Sequence, residues 1–376
     1  MKRSFLFFGC LVGLLLHGTP VSANEGYPTL AIGASAPDFS LSGVDGKIYT
    51  LDSFKDSNLL AIVFTCNHCP TAQAYEDRII QLTKDYASKG VAVVAIMPND
   101  PNALRLDELG YSDLGDSFED MKIRAQDKSF NFPYLYDGET EIASKLYGPV
   151  STPHIFIFDK SRKLRYNGRI DDMENPRKTP SSLDARNALD ALLQNKEVPV
   201  AVTKVFGCSV KWSEKSDWVE KAALDWAKEP VSVEMIDVAG IKELLKNTSD
   251  KVRLINVWAT WCGPCVAEFP EFITMNRMYR DRDFEFISIS ADSPAQKEKV
   301  LKFLQKKQAS NKNYLFSLDD KYKLIEAIDP QWQGALPYTL LVEPGGKVVY
   351  GKQGIIDPVA LKKTIFNSHL LGRIYE

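Results

Sequence analysis

Short apolar runs of strand length alternate along this chain with longer stretches of helical spacing. In the first half, residues 59–64 and 91–96 are wholly apolar, which is typical of buried strands. Between them, residues 73–89 place apolar side chains at helical intervals until Gly90 interrupts the pattern. The pattern predicts an α/β fold in which helices cover central strands.

The second half shows the same alternation. Apolar-rich runs at 252–258 and 284–290 predict two further strands. Helical spacing at 266–279 and 295–307 predicts that a helix follows each of them.

An X-Pro pair precedes one more apolar strand in each half. Thr152-Pro153 opens the run 154–158, and Leu336-Pro337 opens the run 338–342. A hairpin turn and a closing helix follow in both cases. The closing helices are predicted at 182–194 and 359–366. Because the order of elements occurs twice, the predicted fold class is α/β, with two tandem domains of one architecture.

Composition and charge agree with two folded domains. The chain has 376 residues, of which 44% are hydrophobic and 25% charged, values of an ordinary globular protein. Its net charge of -3 leaves no basic footprint, so no nucleic-acid partner is predicted. The predicted divisions are a signal peptide at 1–23, a first domain at 27–198, a connector at 199–230 and a second domain at 231–376.

The first residues have the features of an export signal. Lys2 and Arg3 precede an apolar stretch at 5–16, and Val-Ser-Ala at 21–23 fits a small-residue cleavage site. An uncleaved N-terminal anchor is the alternative, but the stretch is shorter than the roughly 20 residues that a membrane span needs. Cys10 lies inside the apolar stretch, and we do not interpret it as a lipid-attachment cysteine.

The connector contains an amphipathic stretch at 217–228. Trp218, Leu224 and Trp226 lie in it and could dock on a neighbouring surface. We expect these side chains to pack in the core of the protein rather than to form a partner-binding face.

Two Cys-x-x-Cys motifs each lie between a predicted strand and a predicted helix. They run from Cys66 to Cys69 and from Cys262 to Cys265. At the N-terminus of a helix, the first sulfur is expected to face solvent, and the helix dipole stabilises its thiolate. The placement predicts paired dithiol and disulfide chemistry, since a disulfide scaffold uses more cysteines than this chain has.

The second half resembles the TlpA/ResA-type thiol-disulfide reductases, exported members of the thioredoxin superfamily. The resemblance rests on Trp-Ala-Thr-Trp-Cys-Gly-Pro-Cys at 258–265, Glu-Phe-Pro at 268–270 and Leu-Pro at 336–337. It implies a thioredoxin-like fold, in which helices flank a central mixed sheet, and thiol-disulfide exchange as the activity.

The first half is similar to the peroxiredoxin-like redoxins of the AhpC/TSA type that carry Cys-Asn-His-Cys-Pro, here at 66–70. Ala-Pro-Asp-Phe at 36–39 and Gly-Cys-Ser-Val-Lys-Trp at 207–212 support the resemblance. True peroxiredoxins have a Pro-x-x-x-Thr/Ser-x-x-Cys pattern around the reactive cysteine, and neither Cys66 nor Cys69 has it. Thiol peroxidase activity is therefore a minor alternative.

In the second domain, Cys262 is expected to be the attacking thiolate and Cys265 the thiol that resolves the mixed disulfide. Glu268 follows Cys265 by three residues, and the resemblance makes it the buried carboxylate that takes the proton from Cys265. A surface carboxylate that compensates the helix dipole is the alternative. Asn256 stands where thioredoxins usually have a buried acid, which favours Glu268 as the proton acceptor.

Both X-Pro pairs are expected to bind substrate. A cis Pro337 would place the backbone of Leu336 against the two sulfurs, where an extended substrate strand can pair with it. Thr152 and Pro153 are expected to do the same in the first domain. An X-Pro pair alone is weak support, but both pairs directly precede a predicted strand.

The first domain is expected to use Cys66 and Cys69 in the same two roles. A protonated His68 between them favours the Cys66 thiolate and so the reduced form. We therefore expect the first pair to be more oxidising than the second, which has a Gly-Pro spacer. Ala72 stands at the position that matches the second domain's carboxylate, so either Glu76 or no side chain serves as the base.

Metal binding is an alternative use of the first dithiol. Cys66, Cys69 and His68 together with His154 could form a soft site of the kind that copper or zinc prefers. His154 begins a predicted buried strand, however, and we expect it to be a packed residue. No metal ligand and no cofactor are therefore predicted.

Removal of the leader leaves five cysteines, and Cys208 in the connector has no obvious partner. Cys208 is either a buried free thiol or a third redox cysteine that visits Cys66 or a disulfide of the other domain.

The sequence thus predicts an exported enzyme of the periplasm or cell envelope that catalyses thiol-disulfide exchange. Protein disulfides or dithiols are its expected partners, and a membrane electron donor is a further candidate. A copper carrier or assembly factor that uses the first dithiol is the competing class of protein.

Overall fold

The first half folds around a seven-stranded mixed sheet. The computed structural model describes residues 27–175, 177–371 and 374–375, and the predicted signal peptide lies outside them. The strands of this half are β1 (Ser40–Gly43), β2 (Ile48–Thr50), β3 (Leu59–Phe64), β4 (Val91–Met97), β5 (Tyr134–Tyr136), β6 (Ser151–Thr152), β7 (His154–Phe158) and β8 (Leu164–Gly168). Its helices are α1 (Pro70–Ala87), α2 (Phe118–Lys128), α3 (Ile142–Tyr147) and α4 (Asp184–Leu193).

Strand β3 lies in the interior of this sheet, whose order is β2-β1-β5-β4-β3-β7-β8. It pairs in parallel with β4 and antiparallel with β7. Alternate residues of a strand point to opposite faces of its sheet. Leu59, Ala61 and Val63 therefore enter one apolar cluster, while Leu60 and Ile62 enter the cluster on the other face. Burial on both faces explains why this segment has no polar residue.

The second half repeats the architecture with a six-stranded sheet. Its strands are β10 (Glu234–Ile236), β11 (Val252–Trp258), β12 (Phe284–Ser290), β13 (Lys312–Phe316), β14 (Tyr338–Val342) and β15 (Val348–Gln353). Their order in the sheet is β10-β13-β12-β11-β14-β15. Its helices are α6 (Val238–Lys246), α7 (Gly263–Tyr279), α8 (Lys297–Lys306), α9 (Lys321–Ile328) and α10 (Pro358–Phe366). Strands β11, β12 and β13 run in parallel, and β14 is antiparallel to β11.

The connector supplies strand β9 (Cys208–Ser209) and helix α5 (Ser216–Ala227). Strand β9 pairs with β6 in a two-stranded sheet.

The two-domain α/β prediction is confirmed, and so are the central strands of both halves. Helix α1 begins at Pro70, three residues before the predicted start at Gln73. The short peripheral strands and several helices were not predicted, since these segments lack a long apolar pattern. Within the described ranges, no helix combines the length and apolar character needed to cross a membrane.

The prediction that the connector helix packs in the core is wrong. No residue of α5 is buried, and the side chains of Trp218 and Leu224 are 62% and 63% exposed. Trp226 instead lies under the guanidinium of Arg277, 5.0 Å from it. Since successive helix residues are about 100° apart, the positions 218, 224 and 226 are spread around the helix and cannot share one buried face.

A loop of the first domain contacts helix α7 of the second. Leu109 in this loop belongs to the apolar cluster of the second domain. Tyr279 donates a 3.0 Å hydrogen bond to the carbonyl oxygen of Ser112, and the Arg282 guanidinium lies 3.8 Å from the centre of the Tyr111 ring. The same loop continues to Asp116, which contacts the first dithiol motif.

Two candidate dithiol sites

The second domain carries its dithiol at the start of α7. Cys262 is the N-cap of this helix, and its sulfur accepts a 3.3 Å hydrogen bond from the backbone N–H of Cys265. The two cysteines form a disulfide, with their Cα atoms 5.3 Å apart. The expectation that Cys262 faces solvent is wrong, since this residue is only 6% exposed. Its sulfur is bonded to Cys265 instead of facing solvent. The neighbouring Trp261 is 63% exposed.

Glu268 is buried one turn beyond Cys265 rather than lying on the surface. Its Oε2 accepts a 3.0 Å hydrogen bond from the N–H of Ile356, and its Oε1 lies 3.5 Å from Nδ2 of Asn256. Burial raises the pKa of the Glu268 carboxyl, and these two hydrogen bonds only partly offset the effect. A raised pKa suits a carboxylate that takes up a proton near neutral pH.

Each domain has a cis X-Pro peptide bond. Leu336-Pro337 is cis, as predicted, and Thr152-Pro153 is cis as well. In both domains the next residue opens the strand that pairs antiparallel with the strand before the cysteines.

Strand register shows that the two motifs are offset from each other by three residues. Phe64 pairs with His154, which follows the first cis-proline, and Val257 pairs with Tyr338, which follows the second. Counting five residues onward from Phe64 and from Val257 gives Cys69 and Cys262. Each of these two cysteines is also the N-cap of the helix that follows it.

The prediction that Cys66 matches Cys262 is therefore wrong, because the helix in the first domain begins one Cys-x-x-Cys spacing later. In the corrected register, Ala72 stands at the position of Cys265 and Tyr75 at that of Glu268. Neither side chain is a carboxylate.

Glu76, the alternative base, is held in an ion pair. Its two carboxylate oxygens accept hydrogen bonds from Arg124 at 2.6 and 2.9 Å, and both side chains are buried. We infer a structural role, since both oxygens are occupied by the guanidinium.

Thr152 contacts both sulfurs of the first dithiol. Its Oγ1 is 3.0 Å from Sγ of Cys66, and its carbonyl oxygen is 3.3 Å from Sγ of Cys69. Backbone N–H groups of Ala72 and Cys208 donate to Sγ of Cys69 at 3.5 and 3.3 Å. Both cysteines are free thiols and both are buried, contrary to the expectation of an exposed first sulfur.

His68 is held in place by Asp116. The imidazole Nδ1–H donates to Asp116 Oδ2 at 2.6 Å, and the backbone N–H of His68 donates to Oδ1 at 3.1 Å. Asp116 also accepts hydrogen bonds from the Asn67 N–H and from the Asn99 side chain. Burial lowers the pKa of His68, but the Asp116 carboxylate outweighs burial, so the pKa of His68 lies above its ordinary value.

The pKa values of the two thiols of the first site are shifted in opposite directions. Burial raises the pKa of Cys66 well above its ordinary value. Burial acts in the same direction on Cys69, but hydrogen bonding with Cys208 and Cys66 and the charge of His68 hold the pKa of Cys69 well below its ordinary value. The prediction that His68 favours the Cys66 thiolate is therefore wrong, because it is Cys69 that lies at the helix start.

His154 does not join the dithiol as a metal ligand. It is buried, its Nδ1 accepts a 3.3 Å hydrogen bond from the Val150 N–H, and burial lowers the pKa of its imidazole to about 3. Among the described residues, Cys66, His68 and Asp116 have potential ligand atoms within 4.8 Å of one another. Asp116 already accepts four hydrogen bonds from neighbouring groups, which suits a structural carboxylate.

Sequence reasoning missed Asp116 and Asn99. Asp116 lies in a loop fifty residues after Cys66 with no local motif, so the sequence contains no signal for its place at the site. Cys208 was singled out, and the structure places it beside Cys69 rather than Cys66.

Comparisons with known proteins match the two halves separately. The AhpC/TSA family model matches residues 32–167, and the Redoxin family model matches residues 232–364. The thiol-disulfide oxidoreductase ResA of a Bacillus cereus strain is 28% identical over 137 residues, which are 35% of this chain and 72% of that protein. ResA of Bacillus anthracis is 28% identical over 134 residues, with the same two shares. A crystal structure of an uncharacterized conserved protein from Geobacillus kaustophilus is 37% identical, with a TM-score of 0.45, and the match covers 50% of this chain and 95% of that one.

Proposed function

The chain consists of two tandem thioredoxin-superfamily domains and is a thiol-disulfide oxidoreductase, and we propose that it is exported and exchanges disulfides with proteins of the cell envelope. The proposed domains are residues 27–198 and 231–376, joined by a connector at 199–230. The observation that carries the proposal is the Cys262–Cys265 disulfide at a helix N-terminus, in the domain where Pro337 directly precedes the strand that pairs with β11.

In the second domain, Cys262 attacks a substrate disulfide and Cys265 resolves the resulting mixed disulfide. The Cys265 N–H already donates to the Cys262 sulfur, which favours a thiolate there. Glu268 takes the proton that Cys265 loses, since it is the buried carboxylate one turn beyond that cysteine. Substrate backbone pairs with the residue before Pro337, and the same is proposed for Thr152 and Pro153 in the first domain.

In the first domain, the corrected register assigns the stabilised thiolate to Cys69. Its sulfur accepts two backbone hydrogen bonds and lies in the field of the His68–Asp116 pair. Cys66 is then its partner thiol, with Thr152 Oγ1 beside its sulfur.

Reduction of a protein disulfide such as insulin by the purified chain, with dithiothreitol as electron donor, tests the enzymatic assignment. Cys262→Ser should remove the contribution of the second domain, and Cys265→Ser should accumulate a mixed disulfide with substrate. A Cys66→Ser/Cys69→Ser double variant isolates the second domain in the same assay. Unchanged rates in Cys262→Ser would overturn the role of that cysteine.

Export is tested separately. Residues 1–26 fused to a phosphatase that is active only after export should give an active reporter. An inactive reporter would remove the envelope location and leave the enzymatic assignment intact.

Metal carriage by the first dithiol is the competing function. Elemental analysis of the purified chain, compared with Cys66→Ser, distinguishes the two functions. Stoichiometric copper or zinc that is lost in the variant would replace thiol exchange at this site by carriage.

A further inference from the structure

A strand of the connector crosses the first dithiol where a substrate would bind. Residues 206–212 form this segment, and within it Cys208 pairs antiparallel with Thr152. Thr152 directly precedes cis-Pro153, so the 206–212 segment fills the edge at which the proposed function places a substrate strand.

The segment is fixed on both sides of Cys208. Gly207 has a φ of +130°, and a Cβ there would lie 2.1 Å from the carbonyl oxygen of Thr152, so only glycine permits this approach. The Phe206 ring lies 5.9 Å from the ring of Tyr75. Beyond the strand, the N–H of Lys211 donates to Asn99 Oδ1 at 2.9 Å. These contacts hold Cys208 in one place against the dithiol.

Cys208 lies against Cys69 rather than against Cys66. Its backbone N–H donates to the Cys69 sulfur at 3.3 Å. Hydrogen bonding with Cys69 raises the pKa of the Cys208 thiol, and the matching contact helps to lower that of Cys69. Cys208 is also partly exposed, whereas Cys66 and Cys69 are buried.

We propose that Cys208 is a third redox cysteine, which exchanges with Cys69 from a strand that occupies the site as an internal substrate. The proposal rests on the proposed function of the first dithiol as a redox pair. In the step, the Cys208 thiolate attacks Cys69 Sγ of a Cys66–Cys69 disulfide. The Cys69–Cys208 bond forms, the Cys66–Cys69 bond breaks, and Cys66 leaves with the electron pair. Cys208 gives up one proton and Cys66 takes up one, so the step has no net oxidation.

Once the bond to Cys69 has broken, the surroundings of Cys66 favour its thiol form. Thr152 Oγ1 lies 3.0 Å from its Sγ and can hydrogen-bond to it as the bond to Cys69 breaks. Burial raises the pKa of Cys66, which favours uptake of the proton. The exchange therefore moves the disulfide from a buried pair to one that includes the partly exposed Cys208.

The test is peptide mapping. The purified full chain is equilibrated in glutathione redox buffers, its free thiols are trapped with N-ethylmaleimide, and it is then digested without reductant. Wild type should yield a peptide linked through Cys69 and Cys208. In Cys66→Ser, the free thiols of Cys69 and Cys208 should disappear together, because the Cys69–Cys208 disulfide forms. Cys69→Ser should show no linkage between Cys66 and Cys208.

A matched control moves the third thiol by one residue. In Cys208→Ser/Ser209→Cys the new side chain points to the opposite face of the strand, so no linkage to Cys69 should form. The proposal is overturned if Cys69 and Cys208 still react with N-ethylmaleimide, in both Cys66→Ser and Cys66→Ala, at a glutathione ratio that oxidises the Cys262/Cys265 pair. Formation of the Cys66–Cys69 disulfide in Cys208→Ser, in the same buffers, reports separately on the first dithiol as a redox pair.

Discussion

The imidazole Nδ1 of His68 and the Oδ2 of Asp116 are 2.6 Å apart, in a site where both side chains are buried. Asn99 and two backbone N–H groups also donate to Asp116, so the carboxylate is fixed and charged. Asp116 raises the pKa of His68 after burial has lowered it, and the charge of His68 in turn lowers the pKa of Cys69. We therefore expect this buried ion pair to stabilise the reduced form of the first dithiol.

The Cys66/Cys69 couple should therefore be more oxidising than the Cys262/Cys265 couple. A stabilised thiolate favours the reduced dithiol, whereas the second motif has only Gly263 and Pro264 between its cysteines. The measurement is an anaerobic redox titration of Cys208→Ser, in which each pair is read by mass spectrometry. Equal potentials for the two pairs would contradict the prediction.

Asp116→Asn should raise the apparent pKa of Cys69 and lower the potential of the first couple. Without the carboxylate, the pKa of His68 falls and the imidazole is neutral near pH 7, so the Cys69 thiolate loses a neighbouring cation. Each tenfold loss in the equilibrium constant lowers the potential by about 30 mV. The pH dependence of Cys69 alkylation and the redox titration measure the two effects.

His68→Gln is the companion variant, because it removes the cation and leaves Asp116 in place. It should shift the Cys69 pKa in the same direction, while the Cys262/Cys265 couple of the same molecule stays at its wild-type potential. An unchanged Cys69 profile in both variants would show that the His68–Asp116 pair does not control this thiol.

Glu268→Gln should slow resolution of the mixed disulfide by about 10²-fold, the lower range for loss of a general base. The pKa of Glu268 is raised by burial, so the folded protein loses stability as pH rises from the unfolded pKa of this carboxyl through its folded pKa. Gln cannot ionise, so the variant should be more stable than wild type above that range. Resolution rates against pH and denaturant titrations at two pH values test both parts.

Glu271→Gln is the matched control, since Glu271 lies on the same helix and is exposed. It should leave the pH profile of resolution unchanged. If Glu268→Gln kept the wild-type pH profile, its acid-base role would be discarded even if the stability changed.

The sequence predicted the central strands because burial on both faces requires continuous apolar runs, as in Leu59–Phe64. It predicted the two dithiols and both X-Pro pairs because the motifs are local. It misplaced the first dithiol by one spacing, because only the pairing of Phe64 with His154 shows that Cys69 is the residue at the helix N-cap. The contact between Asp116 and His68 could not be predicted, because Asp116 lies in a distant loop and no periodicity of the sequence indicates that this loop packs against the motif.

Glu76→Gln should destabilise the first domain by about 3 kcal/mol, the cost of leaving a buried charge without its partner. Among the described residues, Arg124 would keep the Asp113 carboxylate, 3.8 Å away, as an anionic partner in addition to the neutral amide. Because the two Glu76 oxygens already bind Arg124, the pH profile of Cys69 alkylation should stay unchanged. A denaturation series in guanidinium chloride, monitored by the alkylation of Cys69, measures unfolding of this domain.

Asp77→Asn is the control for that experiment, since the Asp77 side chain is 84% exposed on the same helix. It should leave the free energy of unfolding within about 0.5 kcal/mol of wild type. A shifted thiol profile in Glu76→Gln would restore Glu76 as a base and contradict its structural assignment.

Gly207→Ala should expose the first dithiol. The added Cβ would lie 2.1 Å from the Thr152 carbonyl oxygen, so the 206–212 segment must withdraw from the strand edge. A non-glycine residue in such a conformation costs about 1–3 kcal/mol. Since about 1.4 kcal/mol is a tenfold change in population, labelling of Cys69 by a maleimide should become roughly tenfold faster.

Gly351→Ala is the control, since a Cβ there meets only side-chain atoms at 3.5 and 3.7 Å. In this variant, the maleimide should label Cys69 at the wild-type rate. If Gly207→Ala labels at that rate too, the 206–212 segment does not limit access to Cys69, and substrates reach the thiol by another face. Faster labelling would instead mean that displacement of the segment controls when the first domain can accept a substrate strand, because both compete for the backbone of Thr152.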